Sequence, residues 1–367
     1  MYSKNMQFIK NTLTILLFVF SLATCAQDSK VKKTTYLYQG RIEKLPNDKA
    51  ILISSGASVS FSFKGKSCKV ALQVKDTYNN HGYVSLELDG KYIGRLRIES
   101  ELKFYPINAA TNKTHTLTIY KATEAANGGI LFDKAKATTL VQTQQKNKKK
   151  IEFIGNSITC GMGADTKEIP CGTGEWFDQH NAYLAYGSQI ARQLDVDFQM
   201  SSVSGIGMYR NWNDEHQEEA IMPDVYENLY LNKDASKPYD FSFKPDVISI
   251  ALGTNDFSDG DGKKKRLPFN PEKFVSNYVA FLKMLYKHNP KAQVVLVNSP
   301  MVNGEKDVIF TNCLNAIKQA FQDDKTIKPI QIFKFESVTP HGCTSHPDAD
   351  DHKLMADQYV PFLKKLL

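Results

Sequence analysis

The chain has 367 residues, 42% of them hydrophobic and 23% charged, with 21 Gly and 14 Pro. That length asks for two domains or one large one, and the composition excludes a single small module, a disordered or collagenous chain and a polytopic membrane protein. The formal charge of +7 gathers partly in short runs, Lys148-Lys149-Lys150 and Lys263-Lys264-Lys265, which read as solvated loops; with no continuous basic stripe, nucleic acid is not implied as a partner.

Lys4 and Lys10 precede an apolar run, Leu13 to Ala23, that is too short to span a bilayer as a mature helix. Residues 1–25 are therefore expected to be an export signal. Leu22-Ala23-Thr24-Cys25 resembles a bacterial lipoprotein box, which would make Cys25 the lipidated first residue of the mature protein, in the periplasm or at the cell surface. Thr24 stands where Gly, Ala or Ser is usual, and ordinary cleavage near Ala26 is the alternative. Membrane association is expected only through such an anchor. Five further cysteines, Cys68, Cys160, Cys171, Cys313 and Cys343, leave at least one thiol unpaired, and Cys160 with Cys171, which bracket a short loop, are the expected disulfide.

Residues 31–145 read as an antiparallel β-sandwich. Val59, Phe61 and Phe63 alternate with polar residues, as do Cys68, Val70, Leu72 and Val74, then Val84, Leu86 and Leu88. Asp89-Gly90 between the last of these runs and Tyr92–Ile98 marks a hairpin, and Leu117 and Ile119 continue the period of two. A jelly roll is the expected arrangement. Residues 142–150, QTQQKNKKK, contain no apolar side chain and mark a boundary.

Residues 151–367 alternate short apolar strands (151–154, 246–252, 293–298) with helical spacing (183–194, 271–288, and a closing helix from 350), the pattern of an α/β fold on a parallel sheet. Ligands of such folds bind at the carboxyl edge of the sheet. Four residues stand after strands or in loops of this half: Ser157 in Gly155-Asn156-Ser157-Ile158-Thr159, Gly205 in Ser204-Gly205-Ile206-Gly207, Asn255 in Gly253-Thr254-Asn255-Asp256, and His346 before Pro347. Singly, each reads as a turn hydroxyl, a loop glycine, a cap and a surface imidazole. Ser157 brings a hydroxyl that can serve as a nucleophile and His346 a base that works near neutral pH, the makings of a serine esterase, whose oxyanions need preorganised donors.

Their order and flanking residues (154–161, Tyr186-Gly187, 207–211 and 253–258) resemble the SGNH hydrolases, and within them carbohydrate esterase family two. The resemblance implies a flavodoxin-like three-layer SGNH domain behind an N-terminal jelly roll. It also implies removal of acetyl groups from polysaccharides such as xylan or glucomannan, or their oligosaccharides, without cofactor or metal. Ser157 would be the nucleophile and His346 its base, with the Ser157 and Gly205 backbone N–H groups and the Asn255 amide as the oxyanion hole. The chain departs from the wider pattern in one place: an Asp commonly stands three residues before the His, and here that residue is Cys343. A backbone carbonyl of residues 343–345 is expected to orient His346 instead, and Asp348 to start the closing helix. That missing Asp also keeps open a glycan-binding protein without turnover, alongside an esterase for another ester.

Asn156 is expected to be structural. His341, Cys343 and His346 could be misread as metal ligands, but no second cluster accompanies them. Tyr209, Trp176 and Trp212 either stack on a sugar ring or pack in the core.

Overall fold

Alternating Val59, Phe61 and Phe63 open an 18-residue strand, Ser58–Lys75, around which the N-terminal half is built. The computed structural model describes residues 33–76 and 80–367; the expected signal and Cys25 lie outside the described residues. The first half of the long strand pairs with Thr114–Lys121 and the second with Lys103–Asn108, all antiparallel. Between the two halves sits Gly65 at φ 129°, and the companion strand Gly129–Val141 shifts register twice alongside. Such irregularities bend a strand and increase its twist, and here they carry one strand through both layers of a sandwich. The layers close on Val59, Phe61 and Phe63 from one half and Val70, Leu72 and Val74 from the other, together with Val84, Leu86, Leu117 and Ile119. Strands His81–Leu88 and Lys91–Glu99 form the expected hairpin, with Asp89 and Gly90 both at positive φ as a two-residue turn requires.

The C-terminal half is a five-stranded parallel sheet ordered Asp197–Ser202, Lys150–Gly155, Val247–Ala251, Gln293–Val297, Gln331–Phe333. In chain order this is 2-1-3-4-5, which places a topological switch point between Lys150–Gly155 and Val247–Ala251. Helices Pro271–His288 and Glu305–Gln319 cover one face through Phe274, Phe281, Leu285, Phe310 and Leu314. Tyr186–Leu194 and Ala349–Leu363 cover the other through Tyr186, Ile190, Met355 and Tyr359. The fold is thus an antiparallel sandwich joined to a three-layer α/β domain of SGNH type.

The two halves share buried polar contacts. The Arg41 guanidinium, fully buried, donates to the carbonyls of Tyr226 and Asn228 and to Ser201 Oγ while lying 4.1 Å from the centre of the Tyr239 ring. Arg95 donates to the carbonyls of Asp178 and His180, and Ser85 to Asn181 Oδ1. Residues 33–367 form one unit as a result.

Candidate active site

The register of the parallel sheet brings three polar groups to one edge. Gly155 sits opposite Ser202 on one side and Ala251 on the other, so the chain leaves three adjacent strands at the same level and reaches Ser157, Gly205 and Asn255 within two to four residues. Gly155 is needed for the tight exit: a Cβ there would lie 2.1 Å from Thr159 Oγ1. Asn156 caps the short helix Ser157–Cys160, its side chain accepting from the Ile158 N–H at 3.1 Å, which is the structural role expected of it.

Ser157 is 7% exposed, and its Oγ lies 2.8 Å from His346 Nε2. On the far side of the ring, His346 Nδ1 lies 2.8 Å from the Thr344 carbonyl oxygen. A carbonyl only accepts, so Nδ1 carries the proton and Nε2 is left as an acceptor facing the serine hydroxyl. Burial lowers the imidazole below its ordinary value, and the Thr344 carbonyl acts in the opposite direction. The carboxylates of Asp348, Asp178 and Asp256 are engaged elsewhere. Asp348 caps the closing helix by accepting from the Asp350 and Asp351 N–H groups. Asp178 pairs with His81 at 2.7 Å, and the buried Asp256 carboxylate accepts from the N–H groups of Met208, Tyr209 and Arg210. Burial pushes Asp256 up to about 6, against these backbone donors. His341 bonds Asp351, and among the described residues no group of three or more His, Cys, Asp or Glu could hold a metal.

Gly205 has φ 76°, a conformation glycine adopts freely, and a Cβ there would strike the Trp212 ring at 2.8 Å. Asn255, 8% exposed, donates one amide hydrogen to the Ile206 carbonyl at 2.7 Å, tying its strand exit to the Gly205 loop and leaving the second hydrogen for another acceptor. The site therefore offers a hydroxyl held against a neutral imidazole base, beside a glycine turn and an amide donor.

The expected disulfide is corrected: Cys171 bonds Cys343, while Cys160 is free along with Cys68 and Cys313. The reason is direction. Cys160 ends the Ser157 helix with its thiol turned inward, 3.4 Å from Glu124 and 3.3 Å from Ser202, whereas Cys171 lies in an exposed loop. That loop passes over the His346 turn at Gly163, whose carbonyl accepts from the Cys343 N–H, and a Cβ at Gly163 would meet the Cys343 carbonyl at 2.4 Å. Tyr209 is corrected as well. It is 3% exposed, its hydroxyl accepts from the Asn270 N–H, and its ring packs against Phe269 and Phe274, so it offers no face to a sugar. The two tryptophans remain at the surface. Trp212, 42% exposed, lies against Gly205; Trp176, 45% exposed, lies edge-on to His180, whose charged form is disfavoured first by burial and then by His346.

Two contributors have no motif. Thr344 acts through its backbone, which any residue type supplies, and Glu124, a lone acid beyond a sandwich strand, bonds the Ser204 N–H at a separation of 80 residues. The only hint of Glu124 is an acid flanked by Thr and Ala in an otherwise uncharged stretch, Ala122–Asn127.

Residues 38–157 match the carbohydrate esterase 2 N-terminal family model, and residues 153–325 match the GDSL-like lipase/acylhydrolase family. An acetylxylan esterase / glucomannan deacetylase of Cellvibrio japonicus (strain Ueda107) is 30% identical over 270 residues, 71% of this chain and 72% of that protein. The structure of an acetyl xylan esterase from the rumen bacterium Butyrivibrio proteoclasticus superposes with a TM-score of 0.77 at 25% identity, covering 92% of this chain and 96% of that one. That of a family two carbohydrate esterase from Clostridium thermocellum, in complex with cellohexaose, has a TM-score of 0.79 at 24% identity over 90% and 98%, and shares the fold. With the Ser157–His346 pair at the carboxyl edge of its GDSL-like half and the matching sandwich in front, the chain belongs to carbohydrate esterase family two and is a carbohydrate acetylesterase.

Proposed function

We propose that this enzyme removes O-acetyl groups from plant cell-wall polysaccharides or their oligosaccharides, xylan and glucomannan foremost, by a Ser157–His346 mechanism. The observation that carries the mechanism is the line Ser157 Oγ, His346 Nε2, His346 Nδ1, Thr344 O, with 2.8 Å at each hydrogen bond. His346 Nε2 takes the hydroxyl proton as Ser157 Oγ adds to the acetyl carbonyl carbon. The resulting oxyanion is held by the Ser157 and Gly205 N–H groups and the second Asn255 amide hydrogen. Collapse expels the sugar oxygen, which takes the proton from His346. Water then adds to the acetyl-Ser157 ester as it gives a proton to the same imidazole, and collapse releases acetic acid while Ser157 Oγ takes that proton back from His346. Trp212, beside the oxyanion glycine, and Trp176, in the loop tethered to the His346 turn by Cys171, are the exposed aromatic faces available to a sugar ring.

The substrate class rests on the named activities of the relatives, among them the Cellvibrio japonicus enzyme. The test is acetate release from acetylated xylan and acetylated glucomannan by wild type and by Ser157→Ala. Release by wild type alone supports the proposal. Glycan binding without release by wild type would replace it with a binding function. Export and lipidation at Cys25 belong to the same reading, and the mass of the mature N-terminus after expression in a bacterial host decides them.

A further inference from the structure

We propose that Glu124, supplied by the sandwich domain, is a positioning residue for the oxyanion hole of the hydrolase domain. The inference rests on the reading of Gly205 as an oxyanion donor. Glu124 follows the strand Thr114–Lys121 and is fully buried. Its Oε2 accepts from the Ser204 N–H at 2.5 Å and lies 3.4 Å from Cys160 Sγ. Ser204 immediately precedes Gly205, and Cys160 ends the four-residue helix that Ser157 begins. One side-chain oxygen therefore meets the backbone just before Gly205 and the thiol at the end of the Ser157 helix, the two elements that must face the same oxyanion.

The turn that delivers it is itself clamped. Lys121, also fully buried, donates from Nζ to the Thr123 carbonyl, to Thr123 Oγ1 and to the Glu124 carbonyl at 2.6 Å, and so sets the backbone from which Glu124 reaches across. The Ala182 N–H donates to the Ala122 carbonyl, fastening the same turn to the hydrolase domain. A buried carboxylate is costly, and an apolar side chain would pack the two domains together more cheaply. What only an acceptor supplies at this place is a partner for the Ser204 N–H. Gly205, at φ 76° and without a side chain, has no anchor of its own beyond its carbonyl, which accepts from the Trp212 N–H. Holding the preceding peptide fixes where the Gly205 N–H points, and preorganised donors are the part of such a site that acts on the transition state.

The experiment compares Glu124→Gln, Glu124→Leu and Glu124→Asp in the full chain on an aryl acetate, with Asn255→Ala alongside. Glu124→Gln keeps an acceptor oxygen in place, and kcat should stay within about threefold of wild type. Glu124→Leu keeps bulk without an acceptor, and kcat should fall at least about tenfold with KM within about twofold, since a misplaced oxyanion donor weakens the transition state rather than the ground state. Affinity for an arylboronic acid, whose tetrahedral adduct on Ser157 puts an oxygen in the hole, should fall by a similar factor. A folded Glu124→Leu variant with wild-type kcat, or a loss carried by KM, overturns the inference, and so does a Gln variant that loses as much as Leu. Where Leu fails to fold, Glu124→Asp, one methylene short of Ser204, must show the kcat loss, and wild-type kcat in it overturns the inference equally. Should Asn255→Ala also cost nothing, the oxyanion-hole reading fails; a large Asn255→Ala loss beside a silent Glu124 series defeats the inference alone.

Discussion

Ser157 and His346 meet at 2.8 Å, yet the two ends of that contact are built in opposite ways. Ser157 leaves a strand buried along nearly its whole length, is capped by Asn156, and sits among Ile158, Thr159 and Cys160, all buried. His346 leaves a three-residue turn, Cys343–Ser345, in which Thr344 and Ser345 both have positive φ, 55° and 56°. The left-handed region costs a non-glycine residue about 1–2 kcal/mol, and a β-branched one such as Thr enters it rarely. The proposed nucleophile is held by packing; the proposed base is held by a strained backbone that something else must keep in place. Three restraints do so: the Cys343 N–H on the Gly163 carbonyl, the Gly342 N–H on the His346 carbonyl at 2.7 Å, and the disulfide to Cys171 across 172 residues. In the chain-entropy description, closing a loop that long stabilises the fold by up to about 5 kcal/mol. The strain has a visible use, because it turns the Thr344 carbonyl onto His346 Nδ1, where a carboxylate would otherwise be needed.

The largest effects should come from removing either end. Ser157→Ala and His346→Ala should each lower kcat on an aryl acetate by about 10⁴-fold or more, and the double variant should be little worse than either, because members of one nucleophile–base unit do not contribute additively. Near-normal turnover in Ser157→Ala would remove the pair from the mechanism. Asn255→Ala comes next. It should cost about a hundredfold in kcat with KM changed less, as for a lost oxyanion donor. A change confined to KM would make Asn255 a substrate-binding group instead.

Breaking the restraint on the base end should cost less and leave a signature. Replacing Cys171 and Cys343 together by Ser should lower kcat by about tenfold while the Ser157 end stays intact, since a small misplacement of a catalytic group is felt strongly. The pH profile separates this from general loosening. The base works only when neutral, so kcat/KM falls as pH drops through the His346 pKa, which burial places below the ordinary 6.5. The Thr344 carbonyl raises that pKa. If the disulfide keeps the carbonyl in place, the Ser/Ser variant should therefore lose activity at lower pH than wild type while reaching a lower plateau. An unchanged acidic limb would show that the carbonyl contact survives without the disulfide.

The same contrast explains what could be read from the sequence. Local periodicity announces the sandwich strands around Phe61 and Val84, the helix Pro271–His288, and the buried strands ending at Gly155 and Ala251. Ser157 and Asn255 stand out because each follows such a strand within a few residues, and Gly205 by the glycine-containing loop text around it and its place in the order. Several elements were not announced, the strands Gln331–Phe333, Lys103–Asn108 and Gly129–Val141 among them, and two others show why. Asp197–Ser202 carries Gln, Ser and Met rather than β-branched residues, and its buried Gln199 bonds Glu152, so its polarity hides its burial. The helix Glu305–Gln319 buries only Phe310, Cys313, Leu314 and Ile317, a thin stripe in a polar sequence. Contacts fixed by tertiary structure were out of reach: Cys171 with Cys343, and Glu124 with Ser204, join residues that no local pattern pairs.

The smallest effect on catalysis is expected at Asp348, the acid nearest His346 in sequence. Its carboxylate accepts from the Asp350 and Asp351 N–H groups at 2.9 Å each, while Asp351 returns the favour to the Asp348 N–H and also bonds His341. This reciprocal cap starts the helix Ala349–Leu363, which packs Met355 and Tyr359 against the sheet. Asp348 thus works on the far side of Pro347 from the imidazole, with both of its hydrogen bonds directed into the helix. Asp348→Ala should lower stability by about 1 kcal/mol, as the loss of an Asp cap does. Because the Thr344 carbonyl and not this carboxylate meets Nδ1, kcat should stay within about threefold of wild type, far from the loss expected of His346→Ala. Asp348→Asn, which keeps a capping oxygen, should recover most of the stability with the same kcat. A kcat loss in Asp348→Asn approaching that of His346→Ala would mean that the carboxylate charge is felt at the imidazole during turnover, and the base end of the site would then rest on an acid after all.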